Sequence, residues 1–483
     1  MFPHVADLYR LAPEFILCAF GMLIMLLEPF VPAASKGWMA RLGLLGAALA
    51  TASVHWMSQF PGTAFYGLIL VDDFSIFVHW LIGIIAVLAV LGAYDYLERE
   101  RLQQGEFYAL VLFAAAGMGV MAGANELLTA FLGLEVSSIA SYVLAGYRRD
   151  ALKSNESALK YFLLGSFATA FFLYGTAMVY GATGSTAIQP IRLAIEQGRA
   201  GAPLLTLGLA LMLTGLAFKI ASVPFQVWTP DVYEGAPTPV TALFAAGPKA
   251  AAFALLLRVL LSGFGPQSEV WLPVIAISAA LTMTVGNLAA LVQTNVKRLL
   301  AYSSISHAGY MLVALAAGAR SGEGAAAVLY YLAAYALMTL GAFTVVAHLG
   351  GAGERRTTLD DYAGLGWRQP LTAALLSLYL LSLLGMPVTA GFLGKFYVFS
   401  AALKTDLLWL VILAAINSAI GAYYYLGVIV AMYFREPEQE WIPAPMPAAA
   451  GLVLLLTAAG TIYLGIFPEL VSTLAAQGGV SLR

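Results

Sequence analysis

The sequence predicts an all-α, polytopic membrane protein of about fourteen transmembrane helices. Of its 483 residues, 61% are hydrophobic and only 10% are charged, and the apolar residues occur in long unbroken blocks. A transmembrane helix needs about 20 consecutive apolar residues, whereas a membrane β-strand alternates over roughly ten. The blocks therefore predict helices that cross a bilayer.

Fourteen apolar blocks are long enough to be spans. Their predicted bounds are residues 11–29, 38–57, 74–94, 107–124, 126–146, 158–180, 203–228, 238–261, 270–292, 298–318, 325–350, 371–400, 406–433 and 447–468. If the N-terminus is outside, the inner connections collect twelve Lys and Arg residues, among them Arg148, Arg149, Arg355 and Arg356, whereas the outer side holds six. By the positive-inside rule, both termini are predicted on the outer side of the membrane.

Two of the predicted spans contain a helix-breaking proline together with a lysine. Pro224 lies in the seventh span, five residues after Lys219, and Pro387 lies in the twelfth, eight residues before Lys395. Proline removes a backbone donor, and a charge at mid-bilayer costs about 2.5–3.5 kcal/mol, so a chain that keeps both is expected to use them. The alternative is that the two prolines are ordinary kinks.

The two breaks divide the chain into repeats. Aligning them predicts a three-helix N-terminal segment at 1–106, a first five-helix repeat at 107–261, a second at 270–433, and a last helix with its tail at 434–483. Each repeat has its broken helix in the fourth position. Because five is odd, the second repeat starts on the opposite side of the membrane, so the repeats are predicted to be inverted, as in many transporters.

Several function classes are excluded by what the sequence lacks. The single cysteine, Cys18, can build neither a disulfide framework nor an iron–sulfur cluster. No P-loop and no glycine-rich dinucleotide motif is present, so ATP-driven pumping by this chain is not expected. The sequence therefore predicts no metal site and no cofactor site within this chain.

Apart from Arg41 and Arg298, which lie at the inner ends of their spans, five basic residues fall within the predicted spans: Lys160, Lys219, Lys249, Arg258 and Lys395. Lys160 lies near the inner end of its span, within reach of Glu156, and either relays protons or extends to the interface. Lys249 has only small neighbours, must face other helices or water, and is predicted to be a relay. Arg258 stays protonated at ordinary pH, so it is predicted to be structural.

Two further polar residues lie near mid-span. Burial penalises the charged forms of both Glu135 and Lys219, whereas pairing stabilises both charges, so a Glu–Lys pair that forms and breaks would be a proton-affinity switch. The alternative is a static ion pair between helices. His307 lies among hydroxyl side chains at the centre of the tenth span and is predicted to relay protons between the two halves. The alternative is an interior histidine with satisfied hydrogen bonds.

Three stretches resemble a known family. Residues 216–239 (LAFKIASVPFQVWTPDVYEGAPTP), 293–310 (QTNVKRLLAYSSISHAGY) and 384–397 (LGMPVTAGFLGKFY) closely resemble the subunit N family of bacterial respiratory complex I, the NADH-quinone oxidoreductase. The resemblance covers nearly the whole chain. It implies fourteen helices in two inverted five-helix repeats, and proton pumping in the bacterial inner membrane while redox chemistry occurs in other subunits.

The resemblance also implies roles for residues and partners. Glu135 and Lys219 would form the switch, Lys249 the central relay and Lys395 the terminal lysine, and Lys160 would match a further lysine near the inner side. The chain would serve an enzyme, NADH:quinone oxidoreductase, without a redox centre of its own. FMN, iron–sulfur clusters and quinone are expected in partner subunits, and the expected partners are membrane and peripheral subunits of the complex and membrane lipid, with no nucleic acid.

One departure and two alternatives accompany this interpretation. Many antiporter-like relatives read Pro-Phe-His after the first break, whereas this chain has Gln226, which cannot titrate. One alternative is an Mrp-type cation/proton antiporter subunit, but a Na⁺ site would need a cluster of oxygen ligands, and the interior offers mainly lysines. The other alternative is a structural subunit of the complex that pumps no protons.

Overall fold

The computed structural model describes residues 5–32, 35–437 and 444–482. Before the first predicted repeat, the described residues form four α-helices and a small hairpin. Their bounds are α1 Val5–Arg10, α2 Ala12–Leu27, α3 Gly37–Met57, β1 Gly62–Ala64, β2 Ile69–Val71 and α4 Asp73–Arg99. The strands are antiparallel, with Thr63 opposite Leu70. This hairpin was not predicted.

The remaining helices follow in two groups and a C-terminal pair. The first group is α5 Gly105–Gly123, α6 Leu127–Ala145, α7 Leu152–Thr183, α8 Ile188–Glu196, α9 Ala202–Lys219, α10 Thr229–Gly235 and α11 Thr238–Leu257. The second group is α12 Ser268–Ala290, α13 Val296–Gly318, α14 Glu323–Leu349, α15 Leu365–Arg368, α16 Pro370–Leu384, α17 Ala390–Leu403 and α18 Leu408–Phe434. The last two are α19 Ala448–Ile466 and α20 Glu469–Ser481.

The predicted helical membrane architecture is confirmed. Within the described residues, 13 helices are long and apolar enough to cross a membrane, and α16 and α17 are two shorter apolar helices that together occupy the predicted twelfth span. The predicted end of the seventh span, at residue 228, is wrong, because α9 ends at Lys219 and the chain leaves the helix there. The helix α20 was also not predicted, because its 13 residues are too few for a span.

The two groups of helices pack alike. In each group the first spanning helix packs against the second and the fifth, and the third packs against the broken one. Glycines allow the closest of these contacts at matching places: a Cβ on Gly117 of α5 would lie 2.5 Å from the backbone N of Ser137, and one on Gly286 of α12 would lie 2.8 Å from the backbone N of Ser306. This repetition agrees with the predicted repeats. In the interior, α11 of the first group and α13 and α14 of the second are buried along most of their length.

Each break has other partners for its freed backbone groups. At the first break, the Val223 N–H donates to the Thr282 hydroxyl of α12 at 3.0 Å, and the indole N–H of Trp228 donates to the Phe218 carbonyl at 3.0 Å. At the second, Gly385 ends α16 with a φ of +95°, a conformation that favours glycine. Buried protein therefore supplies the hydrogen bonds that the helix no longer makes.

Connections that the sequence marks as basic contact one another at one end of the bundle, since Arg148 and the Gly353 N–H both contact Glu100. This end is called the basic face, and the other end the opposite face. On this basic face, Glu354 joins three segments: its carboxylate accepts from the Thr238 N–H and hydroxyl at 2.7 and 2.6 Å, and from the Lys297 ammonium at 2.8 Å. Lys297 has no exposed surface and also donates to the Ala236 carbonyl. This contact fastens the start of α11 to the start of α13.

Replacing Glu354 by glutamine should lower the free energy of unfolding by about 3 kcal/mol, because Lys297 would stay buried without a carboxylate. Thermal unfolding of the purified protein in detergent would measure the loss. Glu323→Gln is the control, since its ion pair with Lys404 is exposed and is expected to contribute less than about 1 kcal/mol. Equal losses in the two variants would contradict the prediction.

Acid should release the same contact. Burial alone would raise the pKa of Glu354, but the Lys297 charge and the hydrogen bonds from Lys297 and Thr238 lower that pKa from 4.5 to about 2. A carboxyl whose pKa is lower in the folded state contributes stability above about pH 4.5 and loses that contribution as the pH falls toward 2. Over this range, the unfolding temperature of the native protein should fall more steeply than that of Glu354→Gln.

Candidate functional site

Lys219 is the last residue of α9, where the first break begins, and its side chain points into the bundle. It is only 9% exposed, and its Nζ donates to the Ser138 hydroxyl at 2.8 Å and to the Tyr142 hydroxyl at 3.1 Å, both on α6. Glu135, one turn before Ser138, interacts electrostatically with Lys219 but makes no ion pair with it among the described residues. Its buried Oε1 has no hydrogen-bond partner there. Glu135 and Lys219, the two residues predicted as a switch, are therefore close to each other but do not form an ion pair in this conformation.

Lys249 lies on α11 and is 2% exposed. Its Nζ donates to the carbonyl of Ser304 at 2.8 Å and makes a short hydrogen bond to the hydroxyl of the same residue. The ring of Tyr335 lies 5.7 Å from this Nζ, measured to the ring centroid. Ser304 belongs to α13, so this contact joins the two groups of helices at the centre of the protein.

His307 follows Ser304 by one turn on α13 and is buried. Both ring nitrogens face tyrosine hydroxyls: Nδ1 is 2.7 Å from that of Tyr331, and Nε2 is 3.1 Å from that of Tyr425. The Tyr425 hydroxyl is also 2.5 Å from that of Ser303. His307 interacts electrostatically with both Lys249 and Lys395, so these three side chains form one buried group.

Lys395 lies on α17, just after the second break, and is 7% exposed. Its Nζ donates to the Leu384 carbonyl at 2.7 Å and to the Ser418 hydroxyl at 2.8 Å, and it lies 4.9 Å from the ring centroid of Tyr310. The Leu384 carbonyl belongs to the last residue of α16, and the break has left it without a helical partner. This lysine therefore completes the hydrogen bonding of the break beside it.

Aromatic rings separate Lys219 from Lys249. Tyr142 packs edge-on against Tyr161 with ring centroids 4.8 Å apart, and Tyr161 contacts Phe244 of α11 at 5.5 Å. Tyr161 also stacks on Trp228 at 4.5 Å. Ring contacts therefore lead from the first lysine to α11, the helix that carries the central lysine, and among the described residues no hydrogen bond joins the two lysines directly.

Lys160 differs from the three buried lysines. Its side chain is 40% exposed at the basic face, where its Nζ pairs with Glu156 at 2.6 Å and with Asp231 at 2.7 Å. Asp231 also pairs with Arg298 of α13 at 2.7 Å. Burial alone would raise the pKa of Asp231, but the hydrogen bonds from Lys160 and Arg298 lower that pKa below its usual range. Lys160 thus belongs to a paired, solvated network that joins α7, α10 and α13.

Pro224 and Pro387 both lie in non-helical backbone between two helices, as predicted. The first break lines a cavity of about 480 Å³ between α9 and α12, whose lining includes Pro224 and Phe225 and otherwise consists mainly of aliphatic side chains. Gln226 has a buried Oε1 without a hydrogen-bond partner among the described residues. This position can accept a hydrogen bond but cannot carry a proton charge.

Sequence reasoning missed two buried contacts made by acidic residues of the N-terminal part, Glu14 and Asp72. Glu14 Oε1 lies 2.6 Å from Nε2 of His79, and Arg258 makes a two-pronged contact with Asp72 at 2.5 and 2.9 Å. Asp72 also caps α4 by accepting from the Ser75 N–H. Burial alone would raise the pKa of Asp72, but the charge of Arg258 and the hydrogen bonds from Arg258 and Ser75 lower that pKa. The only sequence signal was the Asp-x-x-Ser capping pattern of residues 72–75. Arg258 thus has the static environment that a structural role requires.

Within the described part of the chain, no group of three or more His, Cys, Asp and Glu side chains is arranged to hold a metal ion. A row of side chains in the interior offers one carboxyl, three amines and one imidazole, all of which can take up and release protons. The row consists of Glu135, Lys219, Lys249, His307 and Lys395.

Comparison with known sequences places this geometry in a family. The family model described as NADH:quinone oxidoreductase/Mrp antiporter, TM, matches residues 124–421. NADH-quinone oxidoreductase subunit N 1 of Solibacter usitatus is 47% identical over 99% of this chain and 98% of its own length. Subunit N 2 of Koribacter versatilis is 51% identical over 96% of this chain and 94% of its own length.

Solved structures agree in fold. A chain of respiratory complex I from Thermus thermophilus with bound aureothin superposes with a TM-score of 0.82 at 40% identity, covering 96% of this chain and 99% of that one. A chain of the Mrp complex from Dietzia sp. DQ12-45-1b superposes with a TM-score of 0.84 at 21% identity, covering 98% and 97%. The second likeness is one of fold alone.

Gly385→Ala should destabilise the second break by about 1–3 kcal/mol, because alanine disfavours a φ of +95° and its Cβ would lie 3.0 Å from Cδ of Lys395. Gly427→Ala on α18 is the control, since nothing lies within 4 Å of its added Cβ and alanine favours a helix. Thermal unfolding in detergent would compare the two. A Gly385→Ala protein as stable as Gly427→Ala would contradict the strain described for this turn.

Proposed function

Since the chain belongs to the subunit N family of NADH-quinone oxidoreductase, we propose that it translocates protons as a membrane subunit of bacterial respiratory complex I. NADH oxidation and quinone reduction would occur in other subunits, which would hold FMN and the iron–sulfur clusters. The chain would act on protons alone, through a central row of buried side chains.

One contrast supports this proposal. Of the five basic residues predicted within the spans, Lys160 and Arg258 pair with carboxylates, whereas Lys219, Lys249 and Lys395 donate only to hydroxyls and backbone carbonyls among the described residues. A proton can therefore arrive at or leave these three lysines without breaking an ion pair. Buried ionisable groups inside a membrane protein are costly and usually mark a transport pathway.

The proposed route follows the row. A proton enters from the basic face, loads Lys219 as its interaction with Glu135 changes, passes to Lys249 and His307, and leaves from Lys395 toward the opposite face. Glu135 supports the first step because its unpartnered oxygen can accept a hydrogen bond from the Lys219 ammonium when the two side chains approach each other. We place Lys160 in the entrance network, because it is exposed and paired.

Orientation and boundaries belong to the same proposal. The basic face would be cytoplasmic under the positive-inside rule, which would place both termini on the outer side. The repeats would comprise residues 107–261 and 270–433. Between them, the Lys249–Ser304 contact is the meeting point, because it joins α11 of the first repeat to α13 of the second.

Lys219→Ala should lower both NADH-driven quinone reduction and proton pumping by on the order of tenfold or more, because a positioned proton carrier is removed. Both activities would be measured in membrane vesicles, with assembly of the complex checked on a native gel. Lys404→Ala is the control, since Lys404 is exposed and pairs with Glu323 on the opposite face. It should leave both rates close to those of the native protein.

The outcomes separate pumping from a structural role. If the Lys219→Ala complex assembles and both activities fall while Lys404→Ala retains them, the proton-carrier role stands. If Lys219→Ala assembles and works at the native rate, Lys219 is not an obligatory carrier, and a structural subunit explains the chain better.

A further inference from the structure

The hydroxyl of Tyr425 lies between His307, a member of the buried row, and the hydroxyl of Ser303. It is 2.5 Å from the Ser303 hydroxyl and 3.1 Å from Nε2 of His307. Ser303 and His307 are one turn apart on α13, whereas Tyr425 comes from α18, the last helix of the second repeat. A side chain from a distant part of the sequence thus joins two residues of one helix by hydrogen bonds.

The partners of His307 make this contact directional. A neutral imidazole has one N–H donor and one acceptor nitrogen, so the hydroxyls of Tyr331 and Tyr425 must take opposite roles toward it. A proton that arrives at Nε2 can therefore leave from Nδ1 toward Tyr331. The ring of Tyr335 lies 5.1 Å from the imidazole and 5.7 Å from Nζ of Lys249, so an apolar ring face covers this side of the path.

We infer that Tyr425 is a hydroxyl relay that carries the proton from the Lys249 side to His307; this inference rests on the proposed function. In the step, the Tyr425 O–H bond breaks as its proton moves to Nε2, and the phenol oxygen takes the Ser303 hydroxyl proton. Ser303 is reprotonated from the Lys249 ammonium through Ser304 and water. Tyr425 is neutral before and after, and one proton is displaced.

The neighbouring Tyr424 offers a matched control. Its ring lies 4.4 Å from that of Tyr425, and its hydroxyl donates to Oδ1 of Asn287 at 2.9 Å. The Tyr424 hydroxyl also interacts with that of Tyr425, but it is hydrogen-bonded to neither Ser303 nor His307. Both tyrosines are buried on α18. A Tyr→Phe change at either position keeps the ring and removes one hydroxyl, so the two variants differ mainly in which hydrogen bond is lost.

Tyr425→Phe should lower NADH-driven quinone reduction and pumping by about tenfold in assembled complex, less than the loss of a full acid–base group because water can enter the space. Tyr424→Phe should keep both rates within about twofold, because it leaves the Ser303–Tyr425 and Tyr425–His307 hydrogen bonds of the relay in place. Native gels and unfolding temperatures of the two variants would show whether the difference lies in assembly or in turnover. His307→Ala would be measured beside them.

The three variants distinguish the inference from the function on which it rests. Slow turnover in Tyr425→Phe with normal turnover in Tyr424→Phe supports the relay. Normal turnover in Tyr425→Phe with loss in His307→Ala overturns the relay and leaves the proposed route standing. Normal turnover in Tyr425→Phe and His307→Ala overturns both. If Tyr425→Phe does not assemble, Ser303→Ala, which removes the other partner of the same hydroxyl, decides by the same criteria.

Discussion

A backbone N–H or C=O that leaves a helix inside a bilayer must find another partner, and the buried site of this protein depends on that constraint. Both breaks meet it with groups from other segments. Val223 donates to Thr282, the Phe218 carbonyl accepts from Trp228, and the Leu384 carbonyl accepts from Lys395. At the second break, the donor to the free backbone carbonyl is Lys395, which is also a residue of the candidate site. One hydrogen bond therefore serves both the fold and the site.

The buried cations fall into two classes by their partners. Arg258 and Lys297 face carboxylates and fasten helix ends together, at the opposite and the basic face respectively. Lys219, Lys249 and Lys395 lie between these faces and have neutral partners. Breaking a buried ion pair is costly, so the paired cations suit structure. The three lysines whose partners are hydroxyls and carbonyls can lose or gain a proton without breaking an ion pair, and this arrangement suits proton transfer.

Sequence patterns predicted the helices, the two breaks and the lysines, because span length, proline and charge are local properties. They did not predict that Lys219 would bond to Ser138 and Tyr142, because this depends on how α6 and α9 are rotated about their axes. The Glu14–His79 and Asp72–Arg258 contacts, and the place of Tyr425 beside His307, likewise join residues distant in sequence. The end of α9 at Lys219 was missed because hydropathy remains high through the break.

The hydrogen bond between Val223 and Thr282 has a mechanical consequence. It ties the unwound stretch after Lys219 to α12, a helix that belongs to the other group. If α12 slides along its axis by more than the reach of this bond, it must either break the bond or pull the unwound stretch along. The unwound stretch lacks the stiffness of a helical ladder, so a pull of this kind displaces the end of α9 first. A displacement of α12 in the second group would therefore shift the amine of Lys219 in the first group.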